Sequence, residues 1–180
     1  EYGMVYGLSY GYKITRGSIP VIAGLDVSAP SGQNLADDFK VRAGGQIRWI
    51  KAGNFQLTTQ LYGVFRRTEN DYVRILNFGS DFAGVIGYYR TKWYVSGTFG
   101  FDKAIVSEFK HKPAYLDQFP GVVDGWYEPT TGGNFYYGLE AGYTLGACDL
   151  FVKAGQLVTQ DWKTSPLLPY YGKVGVTVHL

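Results

Sequence analysis

Cysteine is almost missing from this chain: Cys148 is the only one in 180 residues. That excludes an internal disulfide framework and any Cys-based metal motif, and in its short Gly-containing turn the thiol reads as incidental. Histidine is nearly as scarce, with only His111 and His179. There is no His-x-x-x-His pair, no acidic metal cluster and no Gly-rich phosphate loop, so no metal or cofactor is expected. Charged residues make up 18%, below the soluble average of about 25%. A formal charge of +2 without a Lys/Arg run argues against nucleic acid. No uncharged apolar stretch reaches the roughly 18 residues that a helical membrane span needs. That excludes a helix but not a barrel, whose strands alternate instead. The first residues hold no basic and apolar leader, so any signal peptide is expected to be removed or to lie outside this sequence.

What is abundant points to strands. Aromatics reach 17%, with 16 Tyr, and there are 25 Gly, a profile poor in helix formers and rich in strand formers. The length suits one domain over 1–180. Period-two alternation recurs along nearly all of it. It is clear at 1–15 (Tyr10 and Tyr12 against Gly11 and Lys13), at 19–28, at 39–50 (Val41, Ile47 against Arg42, Gln46) and at 54–66. It is weaker at 72–89, returns at 93–106, is strongest at 134–146 (Tyr137, Leu139 against Gly138, Glu140), fades at 150–160 and closes strongly at 170–180. This gives nine strands and no helix. Tight turns at 15–18, 51–54, 90–92 and 146–149 alternate with longer links at about 29–38, 66–71, 110–133 and 161–169. Short turns at one end and longer loops at the other suit a transmembrane barrel, and 110–133 is long enough to fold over its mouth or touch a partner.

A soluble barrel also alternates, with its apolar face inside. The aromatics decide between the two. On the apolar faces Tyr12, Trp49, Phe55, Tyr88, Trp93 and Tyr143 lie near short turns, while Phe101, Phe135 and others lie at the opposite strand ends. Smaller aliphatics such as Ala43, Leu61, Val95 and Leu139 fall between. Ten tilted residues rise about 25 Å, the height of the apolar band in such barrels. Two aromatic belts at that spacing suit two lipid–water interfaces. The other face, with Lys40, Arg42, Arg48, Gln56, Asp102, Glu140, Lys153 and Lys173, would then line the lumen, where charges can pair instead of meeting lipid.

The ending Tyr170-Tyr171-Gly172-Lys173-Val174-Gly175-Val176-Thr177-Val178-His179-Leu180 resembles the terminal strand of bacterial outer-membrane barrels, whose alternating apolar residues serve as the assembly signal. The resemblance is one of pattern over the whole chain, and it departs at Leu180, where that superfamily usually has Phe. Lys173, Gly175, Val178 and Leu180 also resemble the sorting signal of mitochondrial barrels, but short length and tight turns favour the bacterial one. It implies an all-β, antiparallel up-and-down transmembrane β-barrel of 8–10 strands in the bacterial outer membrane. Single-chain bacterial barrels have even strand numbers, so nine strands predict a tenth, N-terminal to Glu1 or donated by another chain; eight is the alternative.

Three functions fit. The first is a membrane anchor or interaction protein, a subunit of a larger envelope complex, surrounded by outer-membrane lipid and binding another protein chain through the open N-terminal edge or the 110–133 loop (His111, Trp126, Tyr127). The second is a narrow, porin-like channel for small anionic solutes along the inward basic residues; with so few strands, side-chain plugging weighs against it. The third is an outer-membrane lipid or peptide hydrolase, on the resemblance of its His/Ser or Asp/His sites to His111 with Ser107 or Asp117. No motif fixes that pair, and no catalytic residue is assigned.

Overall fold

The computed structural model describes residues 4–16, 19–31, 37–128, 133–164, 166 and 168–179. Leu180, residues 17–18 of the first turn, most of the 29–38 link, and Pro129 and Gly132 of the long link lie outside them.

Among the described residues, all regular structure except one helical turn belongs to a single curled, half-barrel antiparallel sheet. Its strands are β1 (Val5–Arg16), β2 (Ile19–Pro30), β3 (Asp38–Ala52), β4 (Phe55–Glu69), β5 (Val73–Tyr89), β6 (Trp93–His111), the short β7 (Gly125–Tyr127), β8 (Asn134–Leu145), β9 (Cys148–Thr159) and β10 (Tyr170–Val178). The nine long strands are those the alternation marks, paired in chain order; β7 pairs only with the upper part of β6.

Two expectations need correction. The strands run further than alternation shows, so β6 reaches His111 and the 66–71 link shrinks to residues 70–72. There the Asn70 side chain accepts from the backbone N–H groups of Tyr72 and Val73, an Asx turn tight enough to replace a loop. Second, the 110–133 link holds a helical turn, α1 (Pro113–Leu116), and β7, where neither was expected. Pro113 starts that turn because its missing N–H costs nothing at a first helical position. β7 brings the sheet to ten strands, and among the described residues its order begins at β1 and ends at β10 with no ladder between them.

Local chemistry keeps the register. Gly53 and Gly146 hold the β3–β4 and β8–β9 turns with φ of +60° and +64°, a left-handed conformation that glycine adopts without steric cost. Trp49 in β3 and Ile105 in β6 are unpaired extra residues, where the register shifts between Arg48 and Ile50 and opposite Phe78 and Gly79. Each bulge preserves the alternation beyond it, so the faces do not invert.

The two faces differ sharply. On the convex side Leu61, Ile86 and Leu139 are 61%, 61% and 67% exposed, and Val95 and Val176 are exposed too. On the concave side Arg42, Gln56 and Glu140 are half-buried and Asp81 is buried. Among the described residues the buried apolar side chains are Pro30, Tyr62, Val64 and Ala83.

Candidate functional site

Antiparallel register brings the concave residues together in rows. One row holds Asp26 on β2, Arg42 on β3, Val64 on β4, Gly79 on β5 and Ala104 on β6. Arg42 is the hub. Its guanidinium lies 3.1 Å from Asp81 and 3.9 Å from Asp26, and it stacks 4.5 Å above the Tyr62 ring. Asp81 also accepts a 2.6 Å hydrogen bond from the Tyr136 hydroxyl on β8. Five strands are thereby linked by one cation, two carboxylates and two tyrosines.

A second cluster surrounds Glu140, which accepts 2.9 Å from the Tyr94 hydroxyl and lies 3.9 Å from the Lys153 ammonium. Lys153 also donates to Thr98 at 3.3 Å. Arg66 pairs with Asp102. Arg48 donates to Gln56 at 3.4 Å, Lys173 sits 5.4 Å over the Phe151 ring, and Lys40 stands in register between Ser28 and Arg66. All eight expected inward residues therefore share the concave side, mostly in pairs rather than as a row of bare cations.

Sequence reading missed the centre of this network. Asp81, Arg66, Tyr62, Tyr94 and Tyr136 carry it, and the tyrosines were invisible because Tyr also populates the outer face. A signal did exist: inward tyrosines lie over inward glycines. A Cβ at Gly24 would come within 2.7 Å of the Tyr62 hydroxyl, and one at Gly142 within 2.8 Å of that of Tyr94. Glycine leaves the space that a ring fills from the adjacent strand, as Tyr94 does over Gly142, or from two strands away, as Tyr62 does over Gly24.

On the convex side the expected aromatics form two chains. Near the short turns, Phe55 meets Tyr88 (4.9 Å between centroids), Tyr88 meets Trp93 (5.7 Å), and Tyr143 is the cross-strand partner of Trp93. Trp49 donates to Thr59 at 2.8 Å, and Tyr12 is exposed on β1. Near the other ends Phe101 meets Phe135, which stacks on Trp162, and Phe39, Phe65, Phe78 and Trp126 form a continuous run. Between the chains a depression of about 970 Å³ crosses the sheet over Gly84, Gly97 and Ala154. No carboxylate, imidazole or ammonium lines it, so it offers no acid–base chemistry.

The long link folds onto its own strands. His111 Nδ1 lies 2.8 Å from Asp124, which also accepts from the His111 backbone N–H and is thereby held below the usual carboxylate range. The imidazole stacks on Tyr115 at 5.1 Å. The imagined partners are elsewhere: Ser107 accepts from Asn77, and the Asp117 N–H caps α1. A serine four residues down the same strand lies about 13 Å away, beyond any proton transfer. Trp126 rests on Phe78 with half its surface exposed, and the Tyr127 hydroxyl donates to the Val123 carbonyl. Among the described residues no group of three potential metal ligands occurs. Compared with protein-family models, curated proteins and solved structures, the chain matches none of them.

Proposed function

We propose that this chain is the wall of a transmembrane β-barrel of the bacterial outer membrane, acting as an anchor or interaction subunit of an envelope complex. One observation carries the reading: aliphatic residues cover the convex face and remain exposed, while charges pair on the concave face. In water that arrangement exposes the wrong side; in hydrocarbon it is the favourable one. The aromatic chains at both margins suit two interfaces. Network pairing on the concave side favours a filled interior over an open path, which places the anchor reading ahead of the anion channel. The separation of His111 from Ser107 weighs against the hydrolase.

Two edges stay unpaired, and in hydrocarbon each unpaired backbone group costs several kcal/mol. A further strand, from another chain or from beyond this one, closes the sheet in our reading. The membrane assignment is tested by nitroxide labels at Leu139→Cys and Glu140→Cys in a Cys148→Ser background. In bilayers, dissolved oxygen should broaden the first label and a water-soluble paramagnetic chelate should not reach it. A Leu139 label open to the chelate, in a protein that stays dispersed without detergent, sinks the reading.

A further inference from the structure

Above the Phe39–Phe65–Phe78–Trp126 run, the outward face changes from aromatic to basic. Arg67 on β4, Arg74 on β5, and Lys110 and Lys112 at the end of β6 share this face, with Glu69 and Glu108 among them. Four cations against Glu69, Glu108 and, beside Lys110, Asp124 leave the patch net positive. Register pairs Arg67 with Leu76 and Glu69 with Arg74, which makes the two arginines diagonal neighbours, about 7–8 Å apart at Cα.

The carboxylates balance only part of this positive charge. Glu69 is shared by Arg67 at 2.5 Å and Lys112 at 2.9 Å. Glu108 stands 3.8 Å from Arg74, too far for a hydrogen bond. The Nε atoms of both Arg67 and Arg74 are buried without a hydrogen-bond partner. Two adjacent, partly exposed guanidiniums within an excess of cations suit an acceptor with several anionic oxygens, and phosphate fits that geometry best. Asp124, the nearest carboxylate of the long link, is already engaged by His111. Directly below, between aromatic run and mid-sheet, lies an apolar depression of about 230 Å³ lined by Val41, Ala43, Gly63, Phe65 and Phe78.

We propose that this rim is a binding site for a phosphorylated lipid, its phosphate held by Arg67 and Arg74 with Lys110 and Lys112, its acyl chain seated against Ala43 and Gly63. The proposal rests on the membrane reading, because only there do cations above an aromatic belt lie at headgroup height. It commits to a lipid rather than a soluble phosphate because the depression and the cations lie on the same outward face, Gly63 and Phe65 being four and two residues from Arg67 along β4.

Native mass spectrometry of the detergent-solubilised chain tests it, with phosphatidic acid and diacylglycerol of identical acyl chains as probes. Phosphatidic acid should bind at least about tenfold more tightly, and R67Q/R74Q should remove that advantage. R67K/R74K keeps charge but not the fork and should fall between. Equal binding of the two lipids, or an unchanged R67Q/R74Q, overturns the proposal. So does displacement by inorganic phosphate at equal concentration, which would mark a site for the free ion. A Leu139 label exposed to water ends the membrane reading and this one together; a lipid-exposed label with no headgroup preference ends this one alone.

Discussion

At the scale of single residues, the concave network concentrates its energy at Asp81. This carboxylate is buried and answers two groups, the Arg42 guanidinium and the Tyr136 hydroxyl. Removing one partner of such a set leaves the others unsatisfied, which costs more than the pair itself contributes. Arg42 keeps about a quarter of its side chain exposed, so water offsets part of the loss. Asp81→Ala should therefore lower stability by about 1–3 kcal/mol, read from urea unfolding in micelles. Asp81→Ala combined with Tyr136→Phe should lose less than the two single changes added together. Strict additivity would show that the hydroxyl and the carboxylate do not act together.

At the scale of elements, the loop from β9 to β10 depends on Asp161. Its carboxylate accepts from the Thr159 hydroxyl and from the backbone N–H groups of Lys163 and Thr164, and these hold it down to about 2. The loop also keeps Trp162 at φ +57°, an uncommon conformation for a bulky residue. A depressed carboxylate stabilises above its unfolded pKa and loses that contribution as pH falls through the folded value. The amide resonances of Lys163 and Thr164 should thus hold steady from neutral pH down to about 4 and move with a midpoint near 2; a midpoint near 4 would contradict the geometry. Packing between strands makes a separate prediction. A Cβ at Gly138 would meet the Tyr171 hydroxyl at 2.5 Å and the Ala154 carbonyl at 2.6 Å, so Gly138→Val should wedge β8 from β9 and lower the unfolding midpoint. Glycine-to-valine at Gly84, with nothing within 4 Å of the added carbon, should change it far less.

These same elements show what alternation can and cannot disclose. A single sheet face writes itself into period two, so all nine long strands and both aromatic chains were legible in the residues. Strand ends were not, because Arg67, Glu69, Lys110 and His111 are polar on both faces where the sheet rises past its apolar band. β7 escaped notice because three residues, Gly125–Tyr127, are too few to show a period. Lys153 with Glu140 could be sorted to one side from the pattern, but the meeting of Arg42, Asp81 and Tyr136 depends on register between β3, β5 and β8, which no local pattern encodes.

At the scale of the molecule, direction along the sheet constrains closure. Eight successive antiparallel steps separate β1 from β10, so the two edge strands run the same way. Joined directly they would form a parallel seam. One inserted strand would instead make an antiparallel pair with each and an even count, as in bacterial single-chain barrels. The exposed, hydrophobic outer sides of both edge strands, Leu8 and Tyr10 on one and Val174 and Val176 on the other, leave either geometry free to continue the apolar outer wall. The inserted strand sets the edges two strand spacings apart, about 9–10 Å, too far for a disulfide. Under oxidising conditions in bilayers, Ser9→Cys with Lys173→Cys in the Cys148→Ser background should then stay reduced, while edge amides of β1 resist hydrogen exchange. A disulfide within one chain would establish the parallel nine-strand seam and remove the need for a tenth strand. Rapid exchange along β1 in the same bilayers would mean an open edge, and the backbone argument for closure would fail with it.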